Sequence, residues 1–184
     1  MTALKKIRTR IGEWSLRKER DKTTRKPQLT NLKHARNIGI ITDLPPGYKS
    51  GPLLNLCRRF DNEYKDYQVL AYFDSSKQIP PVLPVKDNIL CFNHKDLDWK
   101  FCPKNEKITG FISGKFDVLI DLSMNQVFPV KYIVTKSRAG VKLSRFIPED
   151  AYADIMIQID KQPDQDFLIQ QIDYYLDMLT NYSK

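Results

Sequence analysis

Densely apolar runs at residues 37–44, 67–74, 88–93, 116–122 and 141–146 alternate with stretches whose apolar residues recur every three or four positions. Short continuous runs read as strands buried on both faces, and the helical spacing between them reads as helices covering those faces. The clearest unit is residues 116–146. FDVLIDLS is a buried strand, and Val127, Val130, Ile133 and Val134 line one face of a helix opened by Asn125 or Gln126, with Pro129 in its first turn. Gly140 is expected to close that helix as its C-cap, and VKLSRF follows as the next strand. Two strands joined by a helical crossover predict a parallel pair.

The same grammar extends both ways. NIGIITDL (37–44) ends in the turn signal Pro45-Pro46-Gly47. Ser50 or Gly51 then caps a helix that buries Leu53, Leu56, Cys57, Phe60 and Tyr64. YQVLAYFD (67–74) is a second strand. Three prolines between residues 75 and 87 exclude a regular helix there and predict an extended crossover to NILCFN (88–93). A short helix with Ile108, Phe111 and Ile112 inward precedes the 116–146 unit. ADIMIQI (153–159) alternates like an edge strand, and Asp164 caps a last helix striped by Leu168, Ile172, Tyr175, Leu176 and Leu179. The expected fold is α/β: a three-layer, Rossmann-like domain with a mainly parallel five- or six-stranded sheet.

The N-terminus differs. Leu4, Ile7, Ile11 and Trp14 share one helical face amid Lys5, Lys6, Arg8, Arg10, Arg17 and Lys18, and residues 21–30 lose the periodicity and contain Pro27. Residues 1–30 thus read as an amphipathic helix and linker, and residues 31–184 as a single α/β domain. Charge sharpens this division. Of the formal net charge of +8, residues 1–36 carry +9, from twelve Lys and Arg against three acids, and the rest carries −1. Three readings of the helix follow: its apolar stripe docks on the parent domain or a second subunit, it meets anionic membrane, or its basic face binds nucleic acid. Docking is the expectation. No apolar run approaches the roughly 20 residues that span a bilayer, and three unevenly spaced cysteines make a poor disulfide framework. A cytoplasmic protein with buried thiols is expected.

The 116–146 unit, with YADIMIQID and QIDYYLDML, resembles a family of uncharacterised Bacteroidetes proteins of about this length, a resemblance that implies no activity. More distantly, FDVLIDLS leading through a helix into VKLSRF resembles the N-terminal domain of heptosyltransferase-type glycosyltransferases. That likeness implies an α/β fold and transfers no catalytic residue. The chain is too short for the donor-binding second domain of such enzymes, and Ser144 stands where their pattern calls for glycine.

In open parallel sheets, ligands sit beyond the carboxyl ends of the strands where the strand order reverses. With the first and fourth strands adjacent there, Asp43, Asp121 and Ser123 would face one crevice rimmed by Tyr48, Lys49 and Ser50, suited to Mg²⁺ or a sugar hydroxyl. Aspartates also follow other strands, at Asp74 and Asp160, as turn chemistry favours. LPPGYKSGP matches neither glycine-rich phosphate loop, so no cofactor is expected. Arg138, beside Gly140, reads as a helix-end cation or a phosphate ligand. Cys91, His94 and Cys102 form at most half of a zinc site. His34 and His94 are the sole imidazoles, and no serine lies in G-x-S-x-G, so a hydrolase triad is not expected.

The function is unknown from these residues. The leading expectation is a non-enzymatic cytosolic binding or scaffold protein, with a protein partner or homo-oligomer formed through the N-terminal helix. One alternative is a small transferase or nucleotide-sugar binding protein using the strand-end crevice. The other is nucleic-acid or anionic-membrane binding through the basic helix.

Overall fold

A computed structural model describes residues 3–20, 25–79, 81–148, 150–159 and 162–182. Six strands form one all-parallel sheet: β1 (Asn37–Asp43), β2 (Asp66–Phe73), β3 (Ile89–Asn93), β4 (Val118–Asp121), β5 (Val141–Arg145) and β6 (Ile155–Ile157), in the order β3-β2-β1-β4-β5-β6. The architecture is thus a three-layer, Rossmann-like α/β fold, as the alternating apolar runs predict. β1 and β4 are central, and alternate residues feed cores on opposite faces.

On one face, α2 (Gly51–Asn62) and α5 (Gln165–Tyr182) bury Leu53, Leu56, Phe60, Leu168, Ile172 and Leu176 against Ile38, Ile40, Val118 and Ile120. On the other, α3 (Glu106–Ser113) and α4 (Phe128–Lys136) bury Ile108, Phe111, Val130, Ile133 and Val134 against Ile41, Leu70 and Leu119. Every large apolar side chain buried this way contributes about 1.5–3 kcal/mol, which offsets the ordering of a long chain. The segment joining β2 to β3 contains no helix among its described residues, as its prolines require. Asn105 caps α3 by accepting from the Lys107 amide, and Asp164 caps α5 by accepting from Phe167 N at 2.7 Å. The Phe167 amide, then the Gln162 side chain and the Asp166 amide, hold the Asp164 carboxyl below its ordinary pKa.

Several local expectations are corrected. Tyr64 is 97% exposed, because α2 ends at Asn62 and the backbone turns left-handed at Tyr64 (φ 53°). Ser50 precedes α2 without a side-chain capping bond; its carbonyl receives Leu54 N. α4 opens at Phe128 after Val127, not at Asn125 or Gln126, whose side chains bond elsewhere. It ends at Lys136, capped by Ser137 rather than Gly140. Gly140 is needed for a different reason: a Cβ there would lie 2.7 Å from the Asp117 carbonyl oxygen.

The largest correction concerns α1 (Ala3–Arg20). It packs against α4, but through the face bearing Arg8, Gly12 and Leu16. Leu16 is buried, and a Cβ on Gly12 would lie 2.6 Å from both Lys100 O and the Phe128 ring. That close approach selects the glycine face. Ile7, Ile11 and Trp14 point away, at 57%, 37% and 60% exposure. The side chain of Leu4, like Asp160 and residues 21–24, lies outside the description. Past the helix, Arg25 fastens the linker by donating to the Ala139 and Gly140 carbonyls and to the Asp154 carboxylate.

Candidate functional site

β1 and β4 are neighbours and the strand order reverses between them, so the expected crevice exists as topology. Asp43, Asp121 and Ser123 converge there, but they are buried, at 4%, 1% and 4% exposure. Asp43 accepts from the Met124 amide (2.9 Å) and from Asn125 Nδ2 (2.6 Å). Asp121 accepts from the Ser123 amide (2.9 Å) and, on its other oxygen, from the Tyr152 hydroxyl (2.7 Å) and Ser144 Oγ (3.3 Å). Burial pushes the Asp121 carboxyl above its ordinary pKa. The Ser123 amide and hydroxyl and the Tyr152 hydroxyl pull it back, and the nearby Asp43 charge adds to the rise. Ser123 Oγ lies near that carboxylate without a well-aligned hydrogen bond of its own. Burial and the Asp121 charge raise the Tyr152 pKa, keeping its hydroxyl a donor.

A side chain from the opposite end of the sequence fills the crevice mouth. Gln165, at the start of α5 and 6% exposed, donates to Thr42 Oγ1 (3.0 Å) and Leu122 O (2.8 Å), and accepts from the Tyr48 hydroxyl (3.2 Å). This amide occupies the place that the strand-end rule reserves for a ligand, and it satisfies the polar groups that a ligand would have met. Lys49 is exposed on the loop beyond Tyr48, and Ser50 is given to the start of α2. Both buried carboxylates of the crevice are thus bonded by groups of this chain. Gln165 and Tyr152 carried no sequence signal. Ser144, out of place in the heptosyltransferase pattern, is wholly buried and bonds Tyr152 at 2.6 Å.

Arg138 does not join these residues. It follows α4 at the amino ends of the strands, exposed, and lines a cavity of about 650 Å³ with Lys26, Arg36 and Lys115. No described carboxylate pairs with the Arg36, Lys115 or Arg138 side chains, and the one acid in the wall, Asp117, accepts from the Arg36 and Asn37 amides through a single oxygen. Next to this cavity, Lys142 is buried and donates to Thr135 O at 2.9 Å. Burial, and then the Arg25 charge, lower its pKa to about 8.

At the ends of β2 and β3, Asp74 Oδ1 lies 2.7 Å from His94 Nε2, and His94 Nδ1 lies 3.5 Å from Ser76 Oγ. The three residue types are those of an acyl-transfer triad. The Ser–His distance is at the limit of a hydrogen bond, Ser76 is exposed, and the next amide, Lys77 N, already donates to Ser75 Oγ. His94 is thus turned toward Asp74 rather than toward Cys91 and Cys102. Among the described residues, no three His, Cys, Asp or Glu side chains group to hold a metal ion, and no helix is long and apolar enough to cross a membrane.

No curated protein and no solved structure matches the chain. A family of unknown function, DUF6913, matches residues 8–179, from within α1 into the last turns of α5, and the chain belongs to that family.

Proposed function

We propose that this protein is a non-enzymatic binding protein whose working surface is the outward face of α1. One contrast carries the reading. At the switch point Gln165, Tyr152 and Asn125 already bond the Asp43 and Asp121 carboxylates and the Thr42 and Tyr48 hydroxyls, whereas α1 turns Ile7, Ile11 and Trp14 to solvent. Large apolar side chains grouped on one exposed face mark an interaction surface more often than an ordinary one. The test is turnover against a broad metabolite panel together with a fluorophosphonate probe for serine nucleophiles. Neither product formation nor labelling of Ser76 is expected; turnover lost in Asp121→Asn or Ser76→Ala, with the fold intact, would overturn the reading.

A second reading has its own observation, the basic cavity at Arg138. Lys26, Arg36, Lys115 and Arg138, beside an Arg25 already paired with Asp154 and one engaged carboxylate, suit a phosphorylated small molecule, such as a nucleotide or sugar nucleotide. A ligand that binds only the native state raises the melting temperature. A shift with such a ligand that disappears in Arg138→Gln would support this site; no shift across the panel would remove it. The transferase alternative moves with it, because the phosphate-binding groups stand at the opposite end of the sheet from Asp43 and Asp121.

A further inference from the structure

We infer that the outward face of α1 seats the protein on an anionic lipid surface. The inference rests on the binding-protein reading above and names the occupant of that face. Ile7, Ile11 and Trp14 fall at steps of four and three on an 18-residue helix, so they form one stripe along its outer side. Exposed Lys6, Arg10 and Arg17 border the stripe along one side, exposed Lys18 continues its line, and the Lys18 ammonium lies 3.8 Å from the centre of the Trp14 ring. Apolar side chains at the centre with cations at one margin match the layering of a lipid interface, acyl chains beneath and anionic headgroups beside. Tryptophan favours that boundary, because its ring is apolar and its N–H needs a polar partner.

Charge and shape argue against other occupants. A second copy of the chain would bring the same four cations against four more. Nucleic acid would satisfy the cations but leave two branched aliphatic side chains with no base face to stack on and no apolar medium to enter. Gly12 and Leu16 hold the opposite side of α1 against the domain, so the stripe is presented by a fixed support. The domain would then sit on the surface in one orientation, held by shallow insertion and charge, reversibly and with strong dependence on salt.

The experiment uses the full chain and vesicles of pure phosphatidylcholine or of phosphatidylcholine with about a third phosphatidylglycerol. Sedimentation with the anionic vesicles only is expected, weakening about tenfold or more when salt rises to shrink the Debye length to a few ångströms. Ile11→Ser is expected to weaken it by about tenfold, the scale of one lost apolar side chain, and Ile11→Glu to abolish it. With Trp99→Phe in the background, Trp14 emission should shift to the blue on anionic vesicles. Matching melting temperatures of wild type and variants show that the fold survives. If a variant melts early, the Trp14 emission of the otherwise native chain decides alone. No sedimentation, sedimentation unchanged in Ile11→Glu, or Trp14 emission unchanged on bound vesicles would overturn the inference. So would a dimer that Ile11→Glu dissolves, or duplex DNA binding without vesicle binding. Those outcomes leave the non-enzymatic reading standing, whereas turnover or Ser76 labelling would sink that reading whatever the vesicles do.

Discussion

The strand-end crevice and the outer face of α1 treat their side chains in opposite ways. In the crevice, carboxylates, hydroxyls and an amide are buried together and bond one another, so little remains for a ligand to gain. On α1, cations and large apolar side chains stand at the surface, where an interaction can still bury them. The lesson is that polar residues at the usual ligand position of a fold are evidence of function only while they lack partners. Once Gln165 and Tyr152 are in place, Asp43 and Asp121 are part of the core.

Perturbations that separate the two regions can be ranked. The largest effect is expected at Lys142, behind the Arg25 anchor of the arm. Its pKa falls from 10.5 to about 8 on folding, so between those values the unfolded chain binds more protons and stability rises with pH. The rise is about 3 kcal/mol over that window. Below pH 8 the ammonium is charged in both states and its burial penalty persists. The buried Cys57, Cys91, Tyr48 and Tyr67, whose pKa values are raised, act in the opposite sense near the top of this range, so the Lys142 contribution is read as a difference. Lys142→Met should be the more stable at neutral pH, with its advantage shrinking as pH rises through the window, measured by urea unfolding across the range. A slope unchanged in the variant would assign it to other groups.

Next comes the α1 seat. Gly12→Val places atoms where Lys100 O and the Phe128 ring already lie 2.6 Å from a Cβ, and overpacking of this kind costs about 1–3 kcal/mol. Undocking of α1 should appear as faster proteolysis near the linker, with the sheet intact by circular dichroism. Normal protection would mean that α1 packs through another face.

Tyr152→Phe tests the crevice. It leaves the buried Asp121 carboxylate short of one donor, a loss of about 1–3 kcal/mol, with vesicle binding untouched. A neutral result would reopen the crevice as a site with slack. The smallest effect belongs to Ile11→Ser, expected to cost about 1 kcal/mol or less, because a side chain 37% exposed gives up only part of the free energy of full burial. A cost well above that would mean the stripe already packs against the domain.

Most of the sheet was legible in the chain. The run NIGIITDL became β1, FDVLIDLS became β4, and the stripes of α2, α4 and α5 face inward, because a strand or helix shows its buried side in the local spacing of apolar residues. Proline placement foretold the helix-free link from β2 to β3. Less was legible at the candidate site: Asp43, Asp121 and Ser123 do converge, yet Arg138 lies at the other end of the strands and Lys49 stays on an exposed loop. Helix ends are less legible still. Gly140 reads as a cap, but its lack of a Cβ answers to Asp117, more than twenty residues away in the sequence.

By itself, then, the sequence determined the layers, the strand and helix order, the inward faces of the central elements and the basic excess of the arm, all of which depend on neighbours within a few residues. The tertiary structure decided which polar groups are already partnered and which side of α1 meets the domain. The first depends on a hydrogen bond such as Gln165 to Thr42, joining residues 123 positions apart. The second depends on how close two backbones can come, where Gly12 fits against Lys100 and a larger residue does not. Apolar periodicity ranks the faces of a helix by hydrophobicity, and close packing ranks them by shape. On α1 shape prevails, leaving the apolar stripe exposed.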